Sequence, residues 1–211
     1  MTHNHTPTLI GLGGHKTHGK DAAADFLVSD HGFTKIGMSD VLAAALYELN
    51  PIIEVTPDEQ YAIGYFKENP RDNVYIRYRV LHDAIGYTEV KRIRDVRELP
   101  QRLGTEVGRN LISEDVWVNA TAKKIDALLA AGKSVALTGV RFTNELLVIR
   151  KRGGLLVWVN RPNGPVPDTS HSSEASLAAA QFDTVLQNDS DLPALRSSAT
   201  QLLSDIRALV A

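Results

Sequence analysis

The residue of this chain best equipped for chemistry is a lysine held at a fixed distance behind two glycines. Gly14-His15-Lys16-Thr17-His18-Gly19-Lys20 reads G-x-x-x-x-G-K. In that spacing the glycines let backbone N–H groups close around phosphate oxygens, and the lysine reaches the outer phosphates. The chemistry implied is binding of a nucleotide through its phosphates. A plain glycine-rich turn would explain the glycines alone. It would leave Lys20 at a helix start, where a cation is disfavoured unless an anion faces it. Lys20 is therefore expected to be exposed to solvent when no ligand is bound. Asp21 follows, where Ser or Thr usually offers magnesium a hydroxyl. Its carboxylate is a harder, more charged oxygen ligand, and it would equally complement the dipole of the first helical turn; both readings stand.

Further candidates lie along the chain. Asp40 falls just past the second strand expected below, at the edge where open α/β sheets take up ligands, and it would also serve as a helix cap. Between 91 and 109 six cations, among them Arg102 and Arg109, face three acids. Glu106 lies four residues after Arg102 and three before Arg109, a spacing that pairs it with both on an α-helix. Gly104 and Gly108 cost about 1 kcal/mol each inside a helix, and their spacing suggests a strip of backbone open to a phosphate or a base. A purely structural contact is the plainer alternative. Trp117 reads as core rather than as a stacking platform. Arg141 stands at the end of the third clear strand, where Gly139 occupies the place of a metal-binding aspartate. Arg161 opens a Pro/Gly/Ser-rich loop of the kind that often forms a mobile lid. His171, within it, reads as a loop contact rather than as a catalytic group.

The elements that must position these residues follow from hydrophobic pattern. Leu9 to Gly13, Phe33 to Ile36, Ser134 to Thr138, Leu155 to Val159 and Asp183 to Leu186 read as strands. The near-continuous apolar runs among them suit a parallel sheet covered on both faces. Helices are expected from Lys20 to His31-Gly32, from Ser39 or Asp40 to Asn50-Pro51, after Glu114-Asp115, after Asn144, and at the C-terminus. From Pro51 to Arg109 strand signals stop and helices are expected throughout, including 57–67 and 73–85. The 211 residues suit one domain with a small insertion. A net charge of −2 argues against a general nucleic-acid or anionic-membrane binder. The absence of cysteine and of a membrane-spanning apolar run suits a soluble cytoplasmic enzyme. His3 and His5 read as an inert tail.

Four stretches carry a family likeness: Gly14 to Asp21 with A-A-A-D-F-L; L-G-T-E-V-G-R at 103–109 with I-S-E-D-V-W-V at 112–118; V-R-F-T-N-E at 140–145; and H-S-S-E at 171–174 with D-T-V-L-Q-N-D at 183–189. With these the chain resembles the bacteriophage deoxynucleoside monophosphate kinases, P-loop proteins related in architecture to adenylate kinase and dephospho-coenzyme A kinase. The resemblance implies an α/β three-layer fold with a five-stranded parallel sheet, a helical acceptor-binding insertion at about 40–115 and a short lid at about 161–174. It implies transfer of the γ-phosphoryl of ATP to deoxynucleoside monophosphates with Mg2+, supplying precursors for DNA synthesis in a host cytoplasm, and leaves a homodimer open. Carried over by position, Gly14, His15, Lys16, Thr17, His18 and Gly19 would cradle the phosphates. Lys20, Asp21 and Arg141 would act at the transferred group, Asp21 as the metal ligand. Asp40, Arg102, Glu106, Arg109, Arg141 and Arg161 would bind the acceptor. Gly139 and Ala22 depart from the family's usual aspartate and threonine. Another small acceptor, such as dephospho-coenzyme A, or a nucleotide-binding regulator without catalysis are the alternatives.

Overall fold

Five parallel strands form the central sheet, in the order β2-β5-β1-β6-β7. The computed structural model describes residues 8–66, 71–164 and 177–210, the last four without side chains. The strands are β1 (Leu9–Gly13), β2 (Thr34–Gly37), β5 (Val135–Val140), β6 (Leu155–Asn160) and β7 (Thr184–Gln187). Each lies within two residues of its expectation from the sequence. Alternate residues of each strand point to opposite faces, and both faces are buried. Ile10, Leu12, Ala136, Val157 and Val159 pack with Ala23, Ala24 and Leu27 of α1 (Lys20–His31) and with Leu195 and Leu203 of α8 (Leu192–Val210). Leu9, Val135, Leu137, Leu156 and Trp158 pack with Val118 and Ile125 of α6 (Val116–Ala130) and Leu146 and Ile149 of α7 (Thr143–Arg150). This is a three-layer α/β architecture.

β5 runs two residues past its expected end. The register against β1 shifts so that Leu12 faces Thr138 and Gly13 faces Val140, leaving Gly139 as a bulge with φ +77°. That backbone region suits glycine. Among the described residues an added Cβ would meet the Met38 backbone nitrogen, 4.0 Å away. Gly139 is thus a backbone device: its φ of +77°, not crowding among the described residues, is what favours glycine there.

The chain divides into two compact units, 1–38 with 118–211, and 39–117. The second unit corrects the expectation that helical segments alone occupy Pro51 to Arg109. β3 (Ile52–Val55) pairs antiparallel with β4 (Val74–Arg77) in a second, two-stranded sheet. Such a pair is marginal alone. Here Ile53 and Val55 are fully buried against Leu46, Tyr78, Leu81, Val90, Ile93 and Val96. Glu54 ties the strands by accepting from Asn73 Nδ2 at 2.7 Å and Tyr75 Oη at 2.8 Å. The remaining elements are α2 (Asp40–Leu49), α3 (Pro57–Ile63), α4 (Tyr78–Val90), α5 (Arg94–Gln101) and a π-helical stretch, Arg102–Ile112. The helix expected over 57–67 stops at Ile63, because Gly64 turns left-handed. The one expected over 73–85 loses its start to β4. Inside α4, Gly86 sits at φ 78°, ψ 163°, breaking the helix in a region open to glycine alone.

Candidate functional site

The loop from Gly14 to Gly19 leaves the carboxyl end of β1, the central strand, and feeds the N-terminus of α1. Sequence dictates this locally: Gly14 (φ 138°), Thr17 (φ 67°) and Gly19 (φ 96°) take left-handed or related conformations, the kind of backbone from which anion-binding concavities are built. Side chains at the two glycines are excluded on packing grounds as well. A Cβ on Gly14 would stand 2.5 Å from the Val159 carbonyl oxygen, and one on Gly19 2.5 Å from Asn188 Nδ2. Lys16 and Thr17 are exposed, His15 half-buried and His18 buried.

Lys20 corrects one expectation, since it is 8% exposed rather than solvent-facing. Its Nζ folds back to 3.3 Å from the His15 carbonyl, an arrangement that holds the ammonium over the loop. Asp21 is exposed in the first turn of α1, 3.8 Å from Lys35 Nζ, which also binds Asp25 at 2.9 Å. Among the described residues no three His, Cys, Asp or Glu side chains gather as a metal cage. A magnesium here would draw on one carboxylate, Asp21, and otherwise on phosphate oxygens and water, which is how that ion commonly binds. The residues present fit it in that limited sense.

Arg141 is half-buried just past β5. Its N–H donates at 2.7 Å to the buried Glu145 carboxylate, which also accepts from Phe142 N at 3.1 Å. Glu145 thereby caps α7 and fixes the turn that carries Arg141. Arg161 is exposed after β6, and its N–H donates to His18 Nδ1 at 3.1 Å. Most of the expected lid, with His171, lies outside the described residues.

In the second unit the expected cluster is rearranged. Arg102 and Glu106 are exposed, Arg109 is half-buried, and no ion pair joins Glu106 to Arg102 among the described residues. The stretch winds as a π-helix, with Ser113 N donating to Gly108 O, five residues back, at 2.9 Å. Each turn then takes up more residues than an α-helix does, so Glu106 and Arg109, three apart, fall on different faces, while Arg102 and Glu106, four apart, share a face without pairing. The glycine strip is likewise not open. An added Cβ on Gly108 would stand 2.4 Å from Trp117 Nε1, and one on Gly104 2.9 Å from Leu42 Cδ2, while Trp117 Nε1 donates to Gly104 O at 2.8 Å. The structural contact accounts for both glycines.

Asp40 begins α2 after Ser39 and lines a cavity of about 470 Å³ with Ala43, Ala44, Tyr47, Glu48, His82 and Tyr87. The sequence reading missed this cleft; Gly86, a helix breaker between His82 and Tyr87, was the available signal. The Tyr47 and His82 rings meet edge to face at 5.0 Å. Tyr47 Oη donates to both Asp83 oxygens at 2.9 and 3.0 Å, and His82 Nδ1 lies 3.2 Å from one of them. The His82 hydrogen bond, then that of Tyr47, holds the Asp83 carboxyl below its ordinary range, and Asp83 in turn raises the Tyr47 phenol. Aromatic walls with carboxylates at the rim suit a flat heteroaromatic ring that carries N–H donors.

A lysine-tipped loop at the carboxyl edge of a parallel sheet defines the class: this is a P-loop kinase. Dephospho-CoA kinase from Campylobacter jejuni shares the fold with a TM-score of 0.50 at 12% identity, over 96% of this chain and 98% of its own. Within the class, the chain belongs to the deoxynucleotide monophosphate kinase family, whose description matches residues 37–199. That match begins beyond the phosphate loop, so loop and family are independent lines of argument. The deoxynucleotide monophosphate kinase of Escherichia phage RB69 is 26% identical over 242 residues, 92% of this chain and 99% of the relative. That of Enterobacteria phage T4 is 24% identical over 237 residues, covering 92% and 98%. A homologue in Acanthamoeba polyphaga mimivirus reaches 30% over 190 residues, 86% of this chain and 88% of its own. Among the described residues no helix is long and apolar enough to cross a membrane.

Proposed function

We propose that this deoxynucleotide monophosphate kinase takes ATP as its donor and Mg2+ as its metal, and that its acceptors are deoxynucleoside monophosphates. The observation that carries the donor reading is the loop, with left-handed residues at Thr17 and Gly19 and the Lys20 ammonium folded over it at 3.3 Å from His15 O. Loop N–H groups bind the β- and γ-phosphates, and the dipole of α1 adds to them. Lys20 neutralises charge that spreads over the transferred group, and an acceptor phosphate oxygen displaces ADP in line without a covalent enzyme intermediate. Arg141, on the turn fixed by Glu145, is the natural partner for the acceptor or transferred phosphate. Magnesium supplies charge neutralisation when bound, and Asp21 would hold it, directly or through water.

The second unit supplies the acceptor side. Its cleft takes the base between Tyr47, His82 and Tyr87, with Asp40 and Glu48 as acceptors for base N–H groups. Arg102, Glu106, Arg109 and Arg161 remain assigned to the acceptor on family likeness. The test is release of ADP from ATP against a panel of deoxy- and ribonucleoside monophosphates and dephospho-coenzyme A. Deoxy forms should give the higher kcat/KM, and a panel in which no deoxynucleotide stimulates turnover overturns the reading. A magnesium titration in the same assay should show a raised requirement in Asp21→Ala. Curves that overlay the wild type would remove Asp21 from the metal.

A further inference from the structure

His18 carries more hydrogen bonding than a residue of a phosphate loop needs for the phosphate itself. Its ring is 4% exposed, and Nδ1 accepts the Arg161 backbone N–H at 3.1 Å, a bond between residues 143 positions apart. Its carbonyl accepts from Asn188 Nδ2 at 3.0 Å, across 170 positions. Asn188 is buried and bonded through its own N–H to Asn160 O at 2.7 Å. Residue 18 is therefore held from two directions: by its ring to the turn that follows β6, and by its backbone to the residue that follows β7.

The surrounding residues are cut to keep this arrangement. An added Cβ on Gly19 would displace Asn188 Nδ2, and one on Gly164 would stand 3.2 Å from His18 Nε2 and 3.0 Å from Arg161 O. Gly164 N also closes the 161–164 turn on Arg161 O at 2.9 Å. The His15 ring packs edge-on against His18 and Trp158, both at 5.2 Å. An N–H aimed at Nδ1 requires that nitrogen to be an unprotonated acceptor, which leaves the ring proton on Nε2. Thr17 and Gly19, on either side, hold the positive φ angles that shape the cradle. Such conformations persist only where the surroundings over-determine them.

We propose that His18 is a positioning residue that locks the phosphate loop into its binding conformation, with its neutral imidazole clamped to the turn after β6 and its backbone carbonyl to the residue after β7. The role rests on the reading of the loop as the ATP site. It acts through the loop backbone, not by touching the acceptor, so it is read in the affinity for ATP. His18→Leu removes the ring acceptor at similar bulk. His18→Asn keeps an oxygen near the place of Nδ1.

The experiment is steady-state kinetics of the full chain with ATP and its best deoxynucleoside monophosphate, beside thermal unfolding. His18→Leu should raise the KM for ATP about tenfold or more, since misplaced binding groups lose roughly that and up to about 100-fold. The KM for the acceptor should stay within about twofold, and His18→Asn should recover most of the loss. Asn188→Leu, which removes the donor to the His18 carbonyl, should move the same constant in the same direction, and it carries the test if His18→Leu does not fold. Lower melting temperatures with an unchanged KM for ATP, or equal losses in the Asn and Leu variants of His18, overturn the clamp. A wild-type chain with no turnover on any monophosphate instead defeats the functional reading on which the clamp rests.

Discussion

The two units build their sites from different materials. In the first, the phosphate site is largely backbone: a contiguous run from Gly14 to Lys20 whose N–H groups, left-handed turns and helix start are all written in adjacent residues. In the second, the acceptor candidates are side chains on α2, α4 and the π-helical stretch, so their meeting depends on the phase of each helix. A backbone site tolerates changes in helix phase elsewhere, because its own run carries the binding groups and its long-range ties, Arg161 N to His18 Nδ1 and Asn188 Nδ2 to His18 O, come from strand ends. A side-chain site does not. The wider winding of 102–112 is enough to place Glu106 and Arg109, three residues apart, on different faces of the stretch.

The sharpest way to test that contrast is to remove the side chain that brings charge to the backbone site. Lys20→Met should lower kcat/KM by about 100-fold or more, the scale of losing one preorganised charge partner at a transferring group. Although Lys20 is buried, methionine has a similar stem and brings no charge, so the thermal transition should stay within a few degrees of wild type. Turnover close to wild type in the ADP-release assay would show that the loop is not the donor site.

The same contrast explains what could be read from the amino-acid order. The five strands of the large sheet were legible because burial on both faces leaves apolar runs such as Leu9 to Gly13 and Val135 to Leu137 without polar interruption. β3 and β4 were not. They are four residues each, one face of each is exposed, and Val74-Tyr75-Ile76-Arg77 runs straight into the apolar positions of α4, so a single helical period absorbed it. In the site, Gly14 to Asp21 could be read because its motif is local. The clamp at His18 could not, since its partners Arg161 and Asn188 lie at the other end of the chain. The π-helical winding carries no local signal beyond Gly104 and Gly108, and these served equally well as evidence for a ligand strip.

That ambiguity can be broken by filling the strip. Gly108→Ala places a methyl group 2.4 Å from Trp117 Nε1. The indole is anchored by its bond to Gly104 O and cannot retreat without losing it. Overpacking costs about 1–3 kcal/mol, and the better helix propensity of alanine returns about 1 kcal/mol, so the net loss should be up to about 2 kcal/mol. The chain has two tryptophans, Trp117 and Trp158, which lie in different units. Urea unfolding followed by fluorescence in a Trp158→Phe background reports the second unit alone. A midpoint raised by Gly108→Ala, the propensity gain with no clash to offset it, would mean the strip is free, and would restore its reading as a place for a ligand.

The smallest expected effect concerns how the first unit ties its distant segments together. Arg196 on α8 grips Asp30 near the end of α1, with Nε donating to Oδ2 at 2.6 Å and Nη2 to Oδ1. The hydrogen bond from Arg196, followed by that from Ser29 at 2.8 Å, lowers the Asp30 carboxyl from 3.8 to about 2. A carboxyl with a depressed folded-state pKa contributes stability that is complete above its unfolded value and is lost as pH falls through the folded value. The window here runs from about pH 4 down to about pH 2. Because both groups are solvent-screened, Arg196→Gln should melt only slightly below wild type near neutrality. The gap should persist down to about pH 4 and close as the pH approaches 2, where Asp30 is protonated in both proteins. Melting temperatures taken across that range decide the matter: a gap that stays constant with pH would assign the contribution of Arg196 to its packing over Phe26, 5.7 Å from the ring centroid, and not to the carboxylate.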